Sequence, residues 1–178
     1  RPIPAGAGDC SGYGAWLMSF WIRPAREEDL DEIVALNDLA FGGKAEGRMV
    51  RDLAKSGESV LSLVASDDKA IAGHIQFFRM QLDGEPVAVG LGPMSVHPDF
   101  QKTGIGSGLI QMGLMALEGA GEQIVFVLGH PEYYPRFGFS ADLAQPFECK
   151  WSGEAFMALR LDPAAPTSGR LTYPAAFG

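Results

Sequence analysis

Apolar and polar residues recur along this chain with two different periods, and each period predicts a kind of element. Three segments place apolar residues at helical spacing, which is typical of helices with one buried face. The first begins at Glu27–Asp29 and ends at Gly42–Gly43, the second is predicted at Ala45–Lys55, and the third at about Thr103–Glu118. Short apolar runs between turn residues predict the strands Phe20–Arg23, Ser59–Ser66, Ala70–Leu82, Pro86–Val96, Ile124–Leu128, Phe147–Trp151 and Ala155–Leu161.

The longest predicted strand, Ala70–Leu82, changes the parity of its apolar positions along its length. The change falls between Phe77 and Phe78, where the alternation moves from odd to even positions. Such a shift predicts a β-bulge or a strong local twist. Asp83-Gly84 follows at once and favours a tight hairpin, so Pro86–Val96 is expected to return antiparallel.

The segment Ile124–Leu128 is apolar at every position, which is typical of a strand that is buried on both faces and parallel to its neighbour. With Pro86–Val96 and the helix between them it forms a predicted βαβ unit. We therefore expect an α/β fold with a single mixed, mostly antiparallel twisted sheet, flanking helices and one parallel βαβ unit. The domain is expected to span 18–161, with Met18 as a natural initiator. Residues 1–17 are interpreted as an extension outside the fold, and 162–178 as a tail that packs on the domain.

Composition and charge exclude several classes of protein. Of the 178 residues, 47% are hydrophobic and 20% are charged, which is typical of a globular domain. A net charge of −8 repels phosphate backbones, so no nucleic-acid partner is expected. Ala15–Ile22 is too short to cross a bilayer and no secretion signal is visible, so we expect a cytoplasmic protein without a membrane partner. The two cysteines and three separated histidines have no metal-ligand spacing, and no metal site is predicted.

The segment Gln101–Ser107, which reads Q-K-T-G-I-G-S, contains the strongest candidate chemistry. It lies where a predicted strand leads into a predicted helix. Unpaired main-chain N–H groups and the helix dipole suit an anion there, and glycines let the main chain approach a phosphate. The segment lacks the Gly-Lys-Ser/Thr of a P-loop, and Leu109 replaces the third glycine of a dinucleotide fingerprint. The pattern is compatible with a diphosphate ligand, and the alternative is a tight turn that binds nothing.

Two separate motifs resemble those of the GCN5-related N-acetyltransferase (GNAT) superfamily. Val96–Gly106, V-H-P-D-F-Q-K-T-G-I-G, matches V-x-P-x-x-Q/R-x-x-G-x-G/A, the segment from the family's fourth strand into its third helix. Tyr134–Phe139, Y-P-R-F-G-F, resembles the family's Y-x-x-x-G-F segment after the fifth strand. Residues 129–139 and the closing Tyr173–Phe177 also resemble one bacterial subgroup, the YhbS-type predicted acetyltransferases. The predicted elements from Phe20 to Leu161 agree with a GNAT-like fold.

This resemblance implies the cofactor and the residues that bind it. The family transfers an acetyl group from acetyl-CoA directly to an amine in a ternary complex, with the pantetheine arm between the fourth and fifth strands. The main chain of Met94, Ser95 and Val96 would line this arm, with the Met94 N–H on the thioester oxygen. The remaining cofactor-binding residues implied are those of the loop and first helical turn, Gln101, Lys102, Thr103, Gly104, Ile105, Gly106 and Ser107.

The resemblance also implies a catalytic tyrosine. Tyr134 stands four residues before Gly138, where the family keeps the general acid that protonates the leaving thiolate. Tyr133 is expected to be a buried packing residue. No base is assigned, because the fourth strand carries no carboxylate upstream of the motif. His130 and Glu132 are candidates, although their positions are more typical of a helix start or a loop.

The acceptor amine, from a small molecule or a protein, is expected between Phe41–Glu58 and the segment after the fifth strand. The alternative function is an acyl-CoA sensor or partner-binding module without turnover, since the strand carboxylate is missing. A small nicotinamide-binding protein is a third possibility. The sequence leaves the acceptor and the acyl chain open and is compatible with a homodimer.

Overall fold

The computed structural model describes residues 20–178, so the extension predicted at 1–17 and Met18 lie outside the described residues. Within this range the helices are α1 at Leu30–Phe41, α2 at Ala45–Ser56, α3 at Ile105–Gly119 and α4 at Ala141–Ala144. The strands are β1 at Trp21–Pro24, β2 at Ser59–Ser66, β3 at Ile71–Leu82, β4 at Glu85–Val96, β5 at Ile124–Leu128, β6 at Phe147–Glu148, β7 at Phe156–Arg160 and β8 at Gly169–Thr172. None of these helices has the length and apolar character that a membrane crossing needs.

The strands form a mixed sheet in the order β1-β2-β3-β4-β5-β7. Neighbours in this order run antiparallel, except that β4 and β5 are parallel and are connected by α3. β8 pairs antiparallel with the end of β3 and parallel with the short β6. The predicted fold class, a mostly antiparallel sheet with a parallel βαβ unit, is therefore confirmed.

α3 packs on one face of the sheet through a stripe of buried residues, namely Ile105, Leu109, Ile110, Gly113 and Leu117. Met112 and Ala116 of the same helix are half-buried, and Met112 packs against the core. A Cβ atom on Gly113 would lie 2.4 Å from Cε2 of Phe77, so the helix approaches β3 through this glycine.

The helices α1 and α2 cover the opposite face, where Ile33, Leu36 and Val50 pack with Val64 and Ile71. β3 is consequently buried on both faces along most of its length, and its apolar positions follow no single parity. Its register shifts against β2 and against β4 at the level of the predicted parity change. The predicted bulge is confirmed, but the extra residues belong to the two partner strands.

The segment 162–178 lies against the sheet. Leu171 of β8 pairs with Leu82 at the end of β3. The Phe177 ring packs on Phe78, with centroids 4.2 Å apart, and the Tyr173 ring contacts Phe78 from 5.8 Å. The sequence pattern did not predict β8, because four residues bounded by prolines and glycine show too little alternation.

Candidate active site

β4 contains an extra residue at the level where its pairing with β5 ends. Gly92 and Pro93 together oppose one residue of β3. Gly92 has a φ of 148°, a conformation that glycine adopts and other residues rarely do. A bulge bends its strand, and the parallel pairing of β4 with β5 stops at Leu91. A Gly-Pro pair inside a predicted strand is the sequence signal for this bulge.

The main chain of Met94 and Val96 faces the gap beyond the bulge. His97 N donates to Ala72 O over 2.8 Å, so these two residues form a hydrogen-bonded pair between β4 and β3. Along an antiparallel ladder, hydrogen-bonded pairs alternate with pairs that are not bonded to each other. In the second kind, the main-chain N–H and C=O groups point away from the partner strand. Ser95 is therefore bonded to β3, whereas the N–H groups of Met94 and Val96 point towards β5, to which this part of β4 is not paired.

The loop between β4 and α3 is attached to this free edge by a side chain. Nε2 of Gln101 donates to Val96 O over 3.2 Å. Thr103 Oγ1 donates to Phe100 O and closes the turn that precedes the helix. Lys102 and Gly104 have left-handed φ values of 61° and 86°. These two residues turn the chain sharply from the edge of β4 into α3.

The first turn of α3 presents main-chain donors without a capping side chain. Gly104 at the N-cap makes no side-chain hydrogen bond, and the turn contains no acidic residue, unlike the first turns of α1 and α2. Ile105 is buried and anchors the turn, while Gly106 and Ser107 are half-buried. The free N–H groups and the positive end of the helix dipole are available to an anion.

The segment after β5 brings two tyrosines to this end of the sheet. Tyr134 is 7% exposed, and its ring lies against the main chain of Gly129 and edge-on to Phe139. Burial raises the pKa of Tyr134 to about 12, and the neighbouring Tyr133 adds to the rise. Tyr133 is half-buried, and its hydroxyl lies 3.4 Å from Ser107 Oγ on α3. Tyr133 packs against the core as expected, but it is only half-buried, and Tyr134 is the more buried of the two.

A buried polar chain lies beneath α1, on the face opposite α3. Nδ2 of Asn37 donates to Ile33 O at 2.9 Å and to His74 Nδ1 at 3.2 Å. Because the Ile33 carbonyl only accepts, this amide nitrogen is a donor and His74 Nδ1 is an acceptor. His74 Nε2 therefore carries the proton and donates to Ser62 Oγ over 3.0 Å. Burial lowers the pKa of His74 to about 3, so the ring is neutral at physiological pH.

Ser95 lies beside this polar chain. It pairs with His74 across β3 and β4, and its side chain is buried. Its Oγ has no hydrogen-bond partner among residues 20–178. Of the three β4 residues expected to line the cofactor arm, the structure directs the main chain of Met94 and Val96 into the gap and that of Ser95 towards β3.

The two residues considered as bases, His130 and Glu132, are exposed on the segment after β5. Within the described part of the chain, no three His, Cys, Asp or Glu side chains are grouped so that they could bind a metal ion. Sequence reasoning missed the contact of Tyr133 with Ser107 and the buried position of His74. A lone histidine in an apolar strand and two adjacent tyrosines provide no periodic signal that would reveal either.

Comparison with known proteins places this geometry in a family. The acetyltransferase (GNAT) domain family matches residues 21–141. The chain is 34% identical to YhbS, an uncharacterised N-acetyltransferase of Escherichia coli K12, over 137 residues that cover 75% of this chain and 82% of YhbS. The crystal structure of E. coli YhbS with CoA has a TM-score of 0.83 at 32% identity, covering 89% of this chain and 92% of that one. The crystal structure of a GNAT family acetyltransferase from Brucella melitensis with acetyl-CoA has a TM-score of 0.78 at 36% identity, covering 89% of this chain and 98% of that one.

These similarities define an acetyl-CoA-dependent acyltransferase. The gap in the sheet and the uncapped first turn of α3 agree with this class of protein. The chain belongs to the GNAT acetyltransferase family. The resemblance inferred from two sequence motifs, including the likeness to YhbS-type proteins, is confirmed.

Proposed function

We propose that this chain transfers the acetyl group of acetyl-CoA directly to a primary amine within a ternary complex. The proposal rests above all on the free edge of β4, where the N–H groups of Met94 and Val96 face a gap beside the bare turn of α3. Two related structures contain CoA or acetyl-CoA, which supports the same cofactor here. In the reaction a C–N bond forms and the C–S bond breaks, while the amine loses a proton and the thiolate gains one.

The diphosphate of the cofactor is assigned to the first turn of α3 and the loop before it. The N–H groups of Thr103–Ser107 are the donors, and Gly104 and Gly106 place no Cβ between the main chain and the phosphate. The exposed Lys102 adds a positive charge beside the loop. Gln101 orients the loop, because its side-chain amide is bonded to the main chain of β4.

The pantetheine arm is assigned to the gap between β4 and β5. The Val96 N–H is directed at the arm, and the Met94 N–H at the thioester oxygen. A main-chain donor to a developing oxyanion contributes about 3 kcal/mol to the transition state in comparable enzymes. Since β3 fixes this part of β4, the Met94 N–H is already oriented before the substrate binds.

Tyr134 is assigned as the acid that protonates the sulfur. Because burial raises its pKa to about 12, the phenol keeps its proton at neutral pH, as a proton donor must. The apolar surroundings of Gly129 and Phe139 disfavour a free thiolate, so the proton is transferred as the C–S bond breaks. We assign no base, since β4 carries no carboxylate between Val89 and Met94 and the two considered residues are exposed.

The acceptor is assigned to the surface between the α1–α2 hairpin and the segment after β5. Leu39 and Phe41 near the end of α1 are 54% and 47% exposed, so they offer apolar contacts to an acceptor. The net charge of −8 favours a cationic ammonium group at long range. An amine of a small molecule and an amine of a peptide both satisfy these conditions.

Two measurements test this function on the full chain. Acetyl-CoA should raise the melting temperature while NAD does not, because a ligand that binds the native state stabilises it. With a panel of amines, thiol release should fall about 100-fold in kcat for Tyr134→Phe, while the affinity for acetyl-CoA changes little. Tyr173→Phe is the control, because half-buried Tyr173 also lies among aromatic rings but packs on Trp151 and Phe78, away from Tyr134.

Three negative results of these measurements would lead to different conclusions. Equal kcat values for the wild type and Tyr134→Phe would refute the role of Tyr134 as the acid. Binding of acetyl-CoA without turnover in either protein would support the alternative, an acyl-CoA sensor. Absence of acetyl-CoA binding at millimolar concentration would refute the assigned site.

A further inference from the structure

The side chain of Tyr133 reaches from the segment after β5 to the first turn of α3. Its hydroxyl lies 3.4 Å from Ser107 Oγ. The same hydroxyl is 3.2 Å from the position that a Cβ atom would take on Gly106. The Tyr133 side chain thus connects the segment after β5 with the helix that begins beside the gap between β4 and β5.

Two side chains of β4 also lie near this position on Gly106. Met94 Cε and Val96 Cγ2 lie 3.6 Å and 3.7 Å from the Cβ position on Gly106. These are the residues whose main-chain N–H groups face the gap. The Tyr133 hydroxyl is therefore located beside the free edge of β4, on the face of the sheet that α3 covers.

The ring of Tyr133 is fixed by its neighbours, while its hydroxyl retains bonding capacity. Tyr134 and Phe137 contact the ring edge to face with centroids 5.2 Å and 5.3 Å away, and the Arg136 guanidinium lies 5.4 Å from its centroid. The contact with Ser107 is at the long limit of a hydrogen bond. A phenol donates one hydrogen bond and accepts others, so this hydroxyl can bond a further group in the gap.

We propose that Tyr133 is a second functional tyrosine, which bonds the pantetheine arm of the cofactor and closes the gap on the α3 face. The arm offers two amides and a hydroxyl, which match the donor and acceptor capacity of a phenol. Tyr134 differs because its ring is buried against Gly129 and Phe139. This inference rests on the proposed cofactor site and adds to it a contact that the sequence motifs do not contain.

The test compares two ligands that share a nucleotide but differ in the arm. Dissociation constants are measured by calorimetry for CoA, and by displacement of CoA for adenosine 3′,5′-diphosphate, which has no pantetheine. Tyr133→Phe removes only the hydroxyl. We expect it to raise the dissociation constant for CoA about three- to tenfold, which corresponds to the loss of one hydrogen bond, and to leave the constant for adenosine 3′,5′-diphosphate unchanged. Tyr173→Phe should leave both constants and their ratio unaltered.

The outcomes separate this inference from the proposed function. An unchanged CoA constant in Tyr133→Phe, or equal losses for both ligands, would overturn the role of Tyr133 while leaving the cofactor site intact. A wild-type chain that binds no CoA would overturn the site and this inference together. Unchanged melting temperatures in both variants establish that a loss of affinity does not come from the fold.

Discussion

Gln101 donates a hydrogen bond of 3.2 Å from its side-chain amide to the main-chain carbonyl of Val96. This contact joins the loop before α3 to the unpaired edge of β4. The two parts of the proposed cofactor site, one for the diphosphate and one for the arm, are thereby fixed relative to each other. Gln101 is exposed, so the bond contributes little to the burial that stabilises the fold.

Removal of this contact should weaken cofactor binding more than it weakens folding. We expect Gln101→Ala to raise the dissociation constant for CoA about tenfold, since the loop loses its fixed position, and to lower the free energy of unfolding by less than about 0.5 kcal/mol. Calorimetry and urea unfolding measure the two effects. Gln145→Ala, an exposed glutamine after α4, is the control and should change neither quantity. A CoA affinity equal to that of the wild type would show that the contact has no part in binding.

Gly113→Ala should destabilise the protein although alanine favours helices. A Cβ at this position would lie 2.4 Å from Phe77 Cε2, so α3 must move away from the sheet. We expect a loss of about 2 kcal/mol in the free energy of unfolding. Gly119→Ala at the end of the same helix is the matched control, because no atom lies within 4 Å of its Cβ position. If both variants unfold at the same urea concentration, the close approach of α3 to β3 does not determine which residues are tolerated at position 113.

Elements with a regular pattern of apolar residues could be predicted from the sequence. Contacts between two elements could not, because they depend on how the elements pack. The continuous apolar run of Ile124–Leu128 predicts a strand buried on both faces, because each side chain must find a core. The close contact of α3 with β3 at Gly113 could not be predicted, since glycine has no side chain to contribute to a helical pattern. The different burial of Tyr133 and Tyr134 depends on the orientation of a single turn, which two adjacent aromatic residues do not specify.

The partly buried ion pair between Arg79 and Glu122 should contribute more to the free energy of unfolding than an exposed pair of the same residue types. Two hydrogen bonds of 2.9 Å and 2.6 Å join these side chains, which are 27% and 17% exposed. Glu122→Gln leaves a partly buried guanidinium without its counter-charge, so we expect a loss of about 1–2 kcal/mol. Arg170 and Glu148 are 76% and 73% exposed, and Glu148→Gln should cost less than about 0.5 kcal/mol. Equal losses in urea unfolding would contradict this distinction.

The neutral ring of His74 should make the stability of the fold depend on pH. Its pKa in the folded protein is about 3, well below the ordinary value of about 6.5, because burial disfavours the charged form. Between these two values the unfolded chain binds a proton that the folded chain does not. The stabilising effect of the neutral ring is therefore complete above about pH 6.5 and is lost as the pH falls towards 3.

His74→Gln tests this dependence because glutamine does not titrate. At about pH 4.5 the wild type should have lost about 2–3 kcal/mol through His74, a loss that the variant does not share. The difference in unfolding free energy between wild type and variant, measured in urea at about pH 7.5 and about pH 4.5, should change by that amount in favour of the variant. The carboxylates titrate in both proteins and cancel in the comparison. A difference that is the same at the two pH values, or a His74 ring whose NMR signals titrate near its ordinary pKa, would show that the ring is not confined to its neutral form beneath α1.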